Sequence, residues 1–151
     1  MSARSLALRL LGRRDYTAAE LRQKLVDRET PADDADAVIA RLQAEGLVDD
    51  RRAAAAHVRT AANLKLRGRG RIARELAARG VDAEIASEAL ASLTPDADTE
   101  AIARILARKR LPARLDPAER RRIFQHLLRR GFSADAIARA LKDRGRGEDE
   151  A

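Results

Sequence analysis

The stretch Gly68–Leu90 reads GRGRIARELAARGVDAEIASEAL, a short basic helix, a glycine and then a short acidic helix. Gly80 can adopt the left-handed conformation that ends a helix, and Leu76 and Val81 have the spacing of the apolar pair in a Schellman motif. Asp82 then offers a side-chain oxygen to the first amides of the next helix. The stretch therefore predicts two helices separated by a stop at Gly80.

The same pattern recurs 51 residues further along the chain, where Ile123, Leu127 and Gly131 repeat the spacing of Ile72, Leu76 and Gly80. A step of the same length toward the N-terminus reaches Leu21 and Leu25. Repetition at a fixed period indicates stacked units that bury one another's apolar faces. We predict an all-α, elongated protein of three tandem three-helix repeats. The predicted units are residues 1–47, 48–93 and 94–143, followed by a disordered tail at residues 144–151.

The composition limits the residue types of the core, the cellular location and the class of partner. Aromatic residues make up only 2% of the chain and hydrophobic residues 45%, so the core must consist mainly of Ala, Leu, Ile and Val. The absence of cysteine excludes disulfides and thiolate metal sites. We find no secretory signal and no apolar run long enough to cross a membrane, and we expect a cytoplasmic protein. A net charge of +7 favours a polyanionic partner over a membrane.

Capping signals place the helix starts and stops. Thr17 and Glu20 have the spacing of a capping box, and Tyr16 and Leu21 that of a hydrophobic staple. Gly46 is expected to stop the third helix as Gly80 stops the fifth. Three further helices are expected to open with proline in the first helical position, at Thr30-Pro31, Thr94-Pro95 and Asp116-Pro117. The last helix is expected to run from Ser133 to about Lys142.

The charges separate by helix. Residues 68–79 carry a net charge of +3 and residues 117–130 a net charge of +4, whereas residues 81–93 carry −3. A helix–turn–helix protein that reads the major groove places its second helix against phosphates, and an acidic helix would be repelled there. A basic strip that touches phosphates without reading bases fits better. Its candidate contacts are Arg67, Arg69, Arg71, Arg74, Arg79, Arg120, Arg121, Arg122, Arg129 and Arg130.

The sequence offers little for catalysis. His57 and His126 each lack a paired carboxylate at a useful spacing in their helices. Asp49-Asp50 is typical of a helix start, with one carboxylate as cap and one beside the helix dipole, more than of a metal site. The segment Gly68-Arg69-Gly70 lacks the preceding strand and the lysine of a phosphate loop. We therefore predict no enzyme, no cofactor and no metal.

Four motifs taken together resemble the RecX family of recombination regulators, over about residues 4–142. In this family an aromatic residue usually follows the aspartate pair, where this chain has Ala53. The motifs are Thr17-x-x-Glu20-Leu21-x3-Leu25, Gly46-Leu47-Val48-Asp49-Asp50, Gly68-x3-Ile72-x2-Glu75-Leu76-x2-Arg79-Gly80-Val81 and Arg129-Arg130-Gly131-Phe132-Ser133-x3-Ile137.

The resemblance implies three tandem three-helix units, in agreement with the repeat. It also implies a regulator of DNA recombination, repair and the SOS response that binds RecA, and we expect the protein to be a monomer. Such proteins dock in the helical groove of the RecA–DNA filament and inhibit the RecA ATPase and strand exchange. From its charge we expect this protein alone to bind DNA weakly and without marked sequence preference. The competing hypothesis is a non-specific DNA-binding nucleoid or transcription-related protein, which the acidic helices do not exclude.

Overall fold

The structure is a computed structural model that describes the backbone of residues 1–149 and the side chains of residues 1–142. Within that range the chain is all-helical, with nine helices and no strand, as the sequence predicts. The last helix continues beyond the expected end near Lys142, and residues 150–151 of the predicted tail lie outside the described residues. The helices are α1 Ala3–Leu11, α2 Ala18–Asp27, α3 Ala32–Ala44, α4 Asp50–Asn63, α5 Arg69–Ala78, α6 Ala83–Ala91, α7 Ala97–Arg108, α8 Pro117–Arg129 and α9 Ala134–Asp149.

The capping box at the start of α2 is confirmed. The Thr17 hydroxyl accepts from the Glu20 amide at 3.1 Å, and the Glu20 carboxylate accepts from the Thr17 amide at 3.0 Å. At the start of α8, Asp116 accepts from the Glu119 amide at 2.8 Å, and Pro117 is the first helical residue, as expected. Together these contacts satisfy amides that the first turn of each helix leaves without a partner.

Two of the three proline assignments are wrong by one or two residues. Pro31 occupies the N-cap position of α3 with ψ at 142°, so the helical conformation begins at Ala32. Pro95 lies in the turn before α7, where the Ala97 amide donates to the Thr94 carbonyl at 3.1 Å. In both cases proline sits in the approach to the helix, where its missing N–H costs nothing.

The predicted stops at Gly46, Gly80 and Gly131 are confirmed, with φ angles of 77°, 79° and 96°. After Gly80 the Val81 amide donates to the Leu76 carbonyl at 3.0 Å, which is the outer bond of a Schellman motif. The first repeat makes the same turn without glycine. Glu29, 51 residues before Gly80, has a φ of 68°. The left-handed turn therefore recurs at the repeat spacing in the first repeat, although glycine does not.

The chain divides into two compact units. The first comprises Met1–His57 and Glu75–Ala89, and the second comprises Val58–Arg74 and Leu90–Ala151. Each unit contains its own apolar cluster, built almost entirely from Ala, Leu, Ile and Val as the composition predicts. Tyr16 joins the cluster of the first unit and Phe132 that of the second.

In the first unit the start of α2 contacts the turn at the end of α5. The Thr17 hydroxyl, which is fully buried, donates to the Arg79 carbonyl at 2.6 Å. The Arg79 guanidinium reaches back to the Glu20 carboxylate at 3.0 Å. A side chain at Gly80 would overlap the Cβ of Ala19, so the helix start and the glycine turn are in close contact.

In the second unit the start of α5 makes the equivalent contact with the turn at the end of α8. The Gly68 amide donates to the Arg130 carbonyl at 2.8 Å, and the Gly70 amide donates to the Gly131 carbonyl at 3.1 Å. A Cβ atom at Gly68 would lie 2.5 Å from the Gly131 carbonyl carbon. Gly68 stands 51 residues after Thr17, so the repeat preserves this helix-to-turn contact with different donors. The two glycines of Gly68-Arg69-Gly70 allow the close approach of two backbones.

Candidate nucleic-acid and protein-binding surface

The two units differ strongly in charge. The first unit contains eleven Lys and Arg against fourteen Asp and Glu, a formal net charge of −3. The second contains twenty against ten, a net charge of +10, and the two values together give the +7 of the whole chain. A polyanion will therefore be attracted mainly to the second unit.

The arginines selected from the sequence belong to the second unit, with the exception of Arg79. They lie along α5 and α8 and at the ends of these helices. The exposed members of the set are Arg74, Arg121, Arg122 and Arg129, and the half-buried members are Arg67, Arg69, Arg71, Arg79, Arg120 and Arg130.

Several of the half-buried arginines bind backbone carbonyls within their own unit. Arg69 donates to the Leu90 carbonyl at 3.3 Å and also to that of Thr94, beyond the end of α6. Arg120 donates to the Leu141 carbonyl at 3.2 Å. The last turn of a helix leaves carbonyl groups without a partner, and a guanidinium can satisfy two of them at once. The donors of these arginines are thus already engaged in contacts that hold the fold.

Arg130 lies at the centre of a group of like charges. Its guanidinium donates to the carbonyls of Leu66, at 3.2 Å, and Lys65. Burial lowers the pKa of Arg130, and the positive charges of Arg71, Arg67 and Arg108 lower it further. Like charges at close range raise the local potential, so this part of the second unit has a concentrated positive field.

The field extends to His126 in α8. Burial lowers the pKa of this imidazole, and the charges of Lys109, Arg130 and Arg129 add to the effect. Among the side chains that the structure describes, no carboxylate contributes to the shift of the His126 pKa. We call the set Arg67, Arg71, Arg108, Lys109, His126, Arg129 and Arg130 the basic cluster.

Carboxylates partner arginines in the first unit. Arg4 pairs with Glu45 at 2.7 Å, Arg22 pairs with Asp36 at 2.7 Å, and other pairs follow the same pattern. At Glu20 burial raises the carboxyl pKa, but the contacts with Arg79, Thr17 and Arg14 outweigh it and leave that pKa below its usual value. Pairing of this kind leaves the first unit with little positive potential.

His57 has a neighbouring carboxylate that the spacing of residues within its own helix could not indicate. Its Nε2 lies 3.4 Å from the Glu75 Oε1 atom in α5, within the first unit, so His57 does have a carboxylate nearby. Asp49 accepts from the Arg52 amide at 3.1 Å and caps α4 as predicted, while Asp50 accepts from the Ala18 amide at the start of α2. Among the described residues, no group of three or more His, Asp or Glu could hold a metal ion.

Basic residues outside α5 and α8, which were not among the arginines selected from the sequence, also contribute to the positive field. Arg108 and Lys109, at the end of α7, join the basic cluster, and Arg110 follows them. Three consecutive basic residues, Arg108, Lys109 and Arg110, are the signal that could have indicated them in the sequence. None of the helices in the described part of the chain is long and apolar enough to cross a membrane.

Comparison with known proteins identifies the family. The models of the first, second and third three-helix domains of RecX match residues 3–42, 49–90 and 98–141. The chain belongs to the RecX family. Its tandem three-helix organisation is that of the family, and the resemblance noted in the sequence is confirmed. The buried Ala53 of α4 takes the place of the aromatic residue that usually follows the aspartate pair.

Relatives in the RecX family cover nearly the whole chain. It is 39% identical over 137 residues to the regulatory protein RecX of Chromohalobacter salexigens, covering 89% of this chain and 88% of that protein. It is 40% identical over 134 residues to RecX of Mycobacterium marinum, covering 87% and 78%. The crystal structure of RecX from Lactobacillus salivarius superposes with a TM-score of 0.84 at 26% identity, covering 95% and 94% of the two chains. The relatives are named as regulatory proteins.

Proposed function

We propose that this RecX-family chain binds RecA and docks in the groove of the RecA–DNA filament, where it inhibits the RecA ATPase and strand exchange. It would thereby modulate recombination, DNA repair and the SOS response. Family membership is the basis of the proposal. The observation that carries it for this chain is the charge difference between the units, −3 against +10.

The charge of the second unit suits such a partner. A filament groove presents DNA phosphates, and counterion release from those phosphates favours a concentrated positive surface. The exposed arginines Arg121, Arg122 and Arg129 can reach a partner directly. The engaged arginines, among them Arg69 and Arg130, contribute their charge to the field while their donors hold backbone carbonyls.

The proposed role requires no catalysis. We propose a cytoplasmic monomer without enzymatic activity, which binds DNA alone weakly and without marked sequence preference. The domain limits at residues 47, 93 and 143 also stay part of the proposal, since each repeat would supply one segment of the contact. Electrostatic contacts to phosphates carry no sequence information, and the acidic helix α6 argues against insertion in the major groove.

The test is a titration of the protein into the DNA-dependent ATPase reaction of RecA on single-stranded DNA. We expect ATP hydrolysis to fall with increasing protein, at concentrations where binding to bare duplex DNA at moderate salt is still weak. Unchanged ATP hydrolysis together with tight binding to bare duplex would contradict the proposal and favour the nucleoid hypothesis.

A further inference from the structure

The second unit contains an open cleft of about 650 Å³ outside the basic cluster. Its walls come from the start of α5, the start of α7, the turn between α8 and α9, and α9 itself. Three arginines line it, Arg69, Arg74 and Arg139, together with the hydroxyl groups of Thr99 and Ser133. Pockets for small ligands have volumes of about 300–1,000 Å³, so the cleft has room for a nucleotide-sized group.

Two of the three arginines make no described hydrogen bond or ion pair within the fold. Arg74 and Arg139 are exposed, and neither forms a hydrogen bond or ion pair with another residue whose side chain the structure describes. Arg69 differs, because the carbonyls of Leu90 and Thr94 hold its guanidinium in place as a fixed part of the wall. A guanidinium carries about five N–H donors, so these two arginines offer the cleft donors that the fold does not use.

The acidic residues of the same cleft do not neutralise these two arginines. Asp98 accepts from the backbone amide of Arg69 at 3.5 Å, and burial raises the pKa of its carboxyl group. Asp96 stands at the N-cap position of α7, where the helix dipole stabilises its charge. The Asp98 carboxylate is thus engaged at the start of α5 and Asp96 stands at the start of α7, and neither forms an ion pair with Arg74 or Arg139.

A hydroxyl group completes the set of donors. The Ser133 Oγ atom accepts from the Ala136 amide at 3.1 Å and so caps the start of α9. A hydroxyl that accepts in this way keeps its own proton for a second partner. The Ser133 O–H can therefore donate to a ligand in the cleft that Arg74 and Arg139 border.

We propose that this cleft binds a phosphodiester group of single-stranded nucleic acid, held between Arg74 and Arg139 with the Ser133 hydroxyl as a third donor. A planar carboxylate is satisfied by one guanidinium fork, whereas a tetrahedral phosphate can accept from donors on several sides. The volume of the cleft also exceeds the need of one carboxylate. The proposal rests on the proposed function only in assigning the strand to the RecA–DNA filament.

The experiment measures the binding of a short, fluorescein-labelled oligothymidylate by anisotropy over a range of salt concentrations. The cleft variants are Arg74→Gln and Arg139→Gln, and the matched control is Arg59→Gln, an exposed arginine of the same unit outside the cleft. We expect each cleft variant to bind about tenfold more weakly. Each should also lower the slope of log affinity against log salt by about 0.7, the value for one contact on a single strand. The control should keep the parent slope.

Three outcomes would overturn the assignment. One is a parent protein that does not bind the oligothymidylate. Another is a salt slope that Arg74→Gln and Arg139→Gln leave unchanged. The third is an oligoglutamate peptide whose binding, unlike that of the oligothymidylate, depends on these two arginines, since the cleft would then be a site for acidic protein segments. The thermal midpoints of the variants should match the parent because neither side chain has a described partner.

RecA inhibition by the parent protein, measured beside oligothymidylate binding by the parent and the variants, separates this proposal from the proposed function. A parent that binds oligothymidylate through Arg74 and Arg139 but leaves the RecA ATPase unaffected would support the cleft and contradict the proposed function. A parent that inhibits RecA while the cleft variants bind oligothymidylate normally would contradict the cleft alone.

Discussion

At the scale of single residues, three glycines share one backbone conformation but differ in their surroundings. A side chain at Gly46 would meet no atom within 4 Å. At Gly80 it would overlap the Cβ of Ala19, and at Gly131 it would overlap the backbone nitrogen and Cβ of Arg71. The left-handed conformation alone costs an L-residue roughly 1 kcal/mol. Close contact must raise that cost at the second and third positions, most where a backbone atom stands in the way.

We therefore predict that Gly→Ala substitutions lower the free energy of unfolding least at Gly46, more at Gly80 and most at Gly131. The Gly46→Ala protein should lose about 1 kcal/mol, and the Gly131→Ala protein at least about twice as much. The bulkier Gly80→Val and Gly131→Val changes should each cost at least as much as the alanine change at the same position, about 1 kcal/mol or more at Gly80 and about 2 kcal/mol or more at Gly131. Denaturant midpoints give the comparison, with an exposed helical Ala→Val change as reference. Equal losses at all three glycines would contradict the role assigned to the contacts.

Glu29 makes the opposite case, because it holds the same turn without being glycine. Its φ of 68° strains an L-residue, and no described contact of its side chain requires glutamate at this position. Glu29→Gly should raise the free energy of unfolding by about 0.5–1 kcal/mol, the strain exceeding the entropy that glycine adds to the unfolded chain. The control is Glu100→Gly within α7, which should lose about 1 kcal/mol. Chemical denaturation of the two variants in parallel tests this, and a loss of stability in both would refute it.

The sequence predicts the residues that have a local reason for their identity. Gly80 and Gly131 were recognisable as helix stops because an apolar pair flanks each of them. Glu29 was not, since no local rule selects glutamate for a left-handed turn. The close contact between Gly131 and Arg71 could not be predicted from the sequence, because the two residues are 60 positions apart and meet only in the folded unit.

At the scale of elements, the start of α2 joins a local signal to a distant contact. The capping box of Thr17 and Glu20 could be predicted from their spacing. The donation from the same hydroxyl to the Arg79 carbonyl could not, because it links residues 62 positions apart. The basic helices were likewise predictable as elements. The engagement of their arginines with carbonyls, as at Arg69 and Arg120, depends on which helix ends lie nearby.

We expect Thr17→Val, which keeps the shape of the side chain, to lower the free energy of unfolding by about 2–4 kcal/mol. The change removes the cap on the Glu20 amide and leaves the Arg79 carbonyl without its donor at a buried position. Thr17→Ser keeps both hydrogen bonds and should lose much less. Thermal and denaturant unfolding of both variants would decide, and similar losses would show that packing of the methyl group matters more than the hydroxyl.

At the scale of the whole molecule, the partition of charge is the feature most closely tied to function. Counting charges along the sequence found the basic helices, but the sequence divides the chain by repeats and the fold divides it differently. Glu75 and Arg79 group with the first unit, while Arg69, Arg71 and Arg74 of the same helix group with the second. The contrast of −3 against +10 appears only with this division.

The contrast leads to a prediction about matched charge reversals. Arg121→Glu with Arg122→Glu changes the second unit by four charges, and Arg9→Glu with Arg13→Glu does the same in the first unit, all at exposed positions. Exposed charges farther apart than about 8 Å are largely screened at physiological salt, so only charges near the contact should matter. The first pair should weaken inhibition of the RecA ATPase by about ten- to a hundredfold, corresponding to ~1–3 kcal/mol, and the second pair by little.

Circular dichroism and melting temperatures should stay close to the parent for both pairs, because exposed reversals cost little stability. The exposed Arg41→Glu variant of the acidic helix α3 is a further control and should inhibit normally. If the Arg9 and Arg13 pair failed while the Arg121 and Arg122 pair inhibited normally, the first unit would carry the contact. If both pairs weakened inhibition equally, net charge rather than a defined surface would govern binding. Only a loss confined to the second unit agrees with a contact surface formed by the exposed arginines of α8.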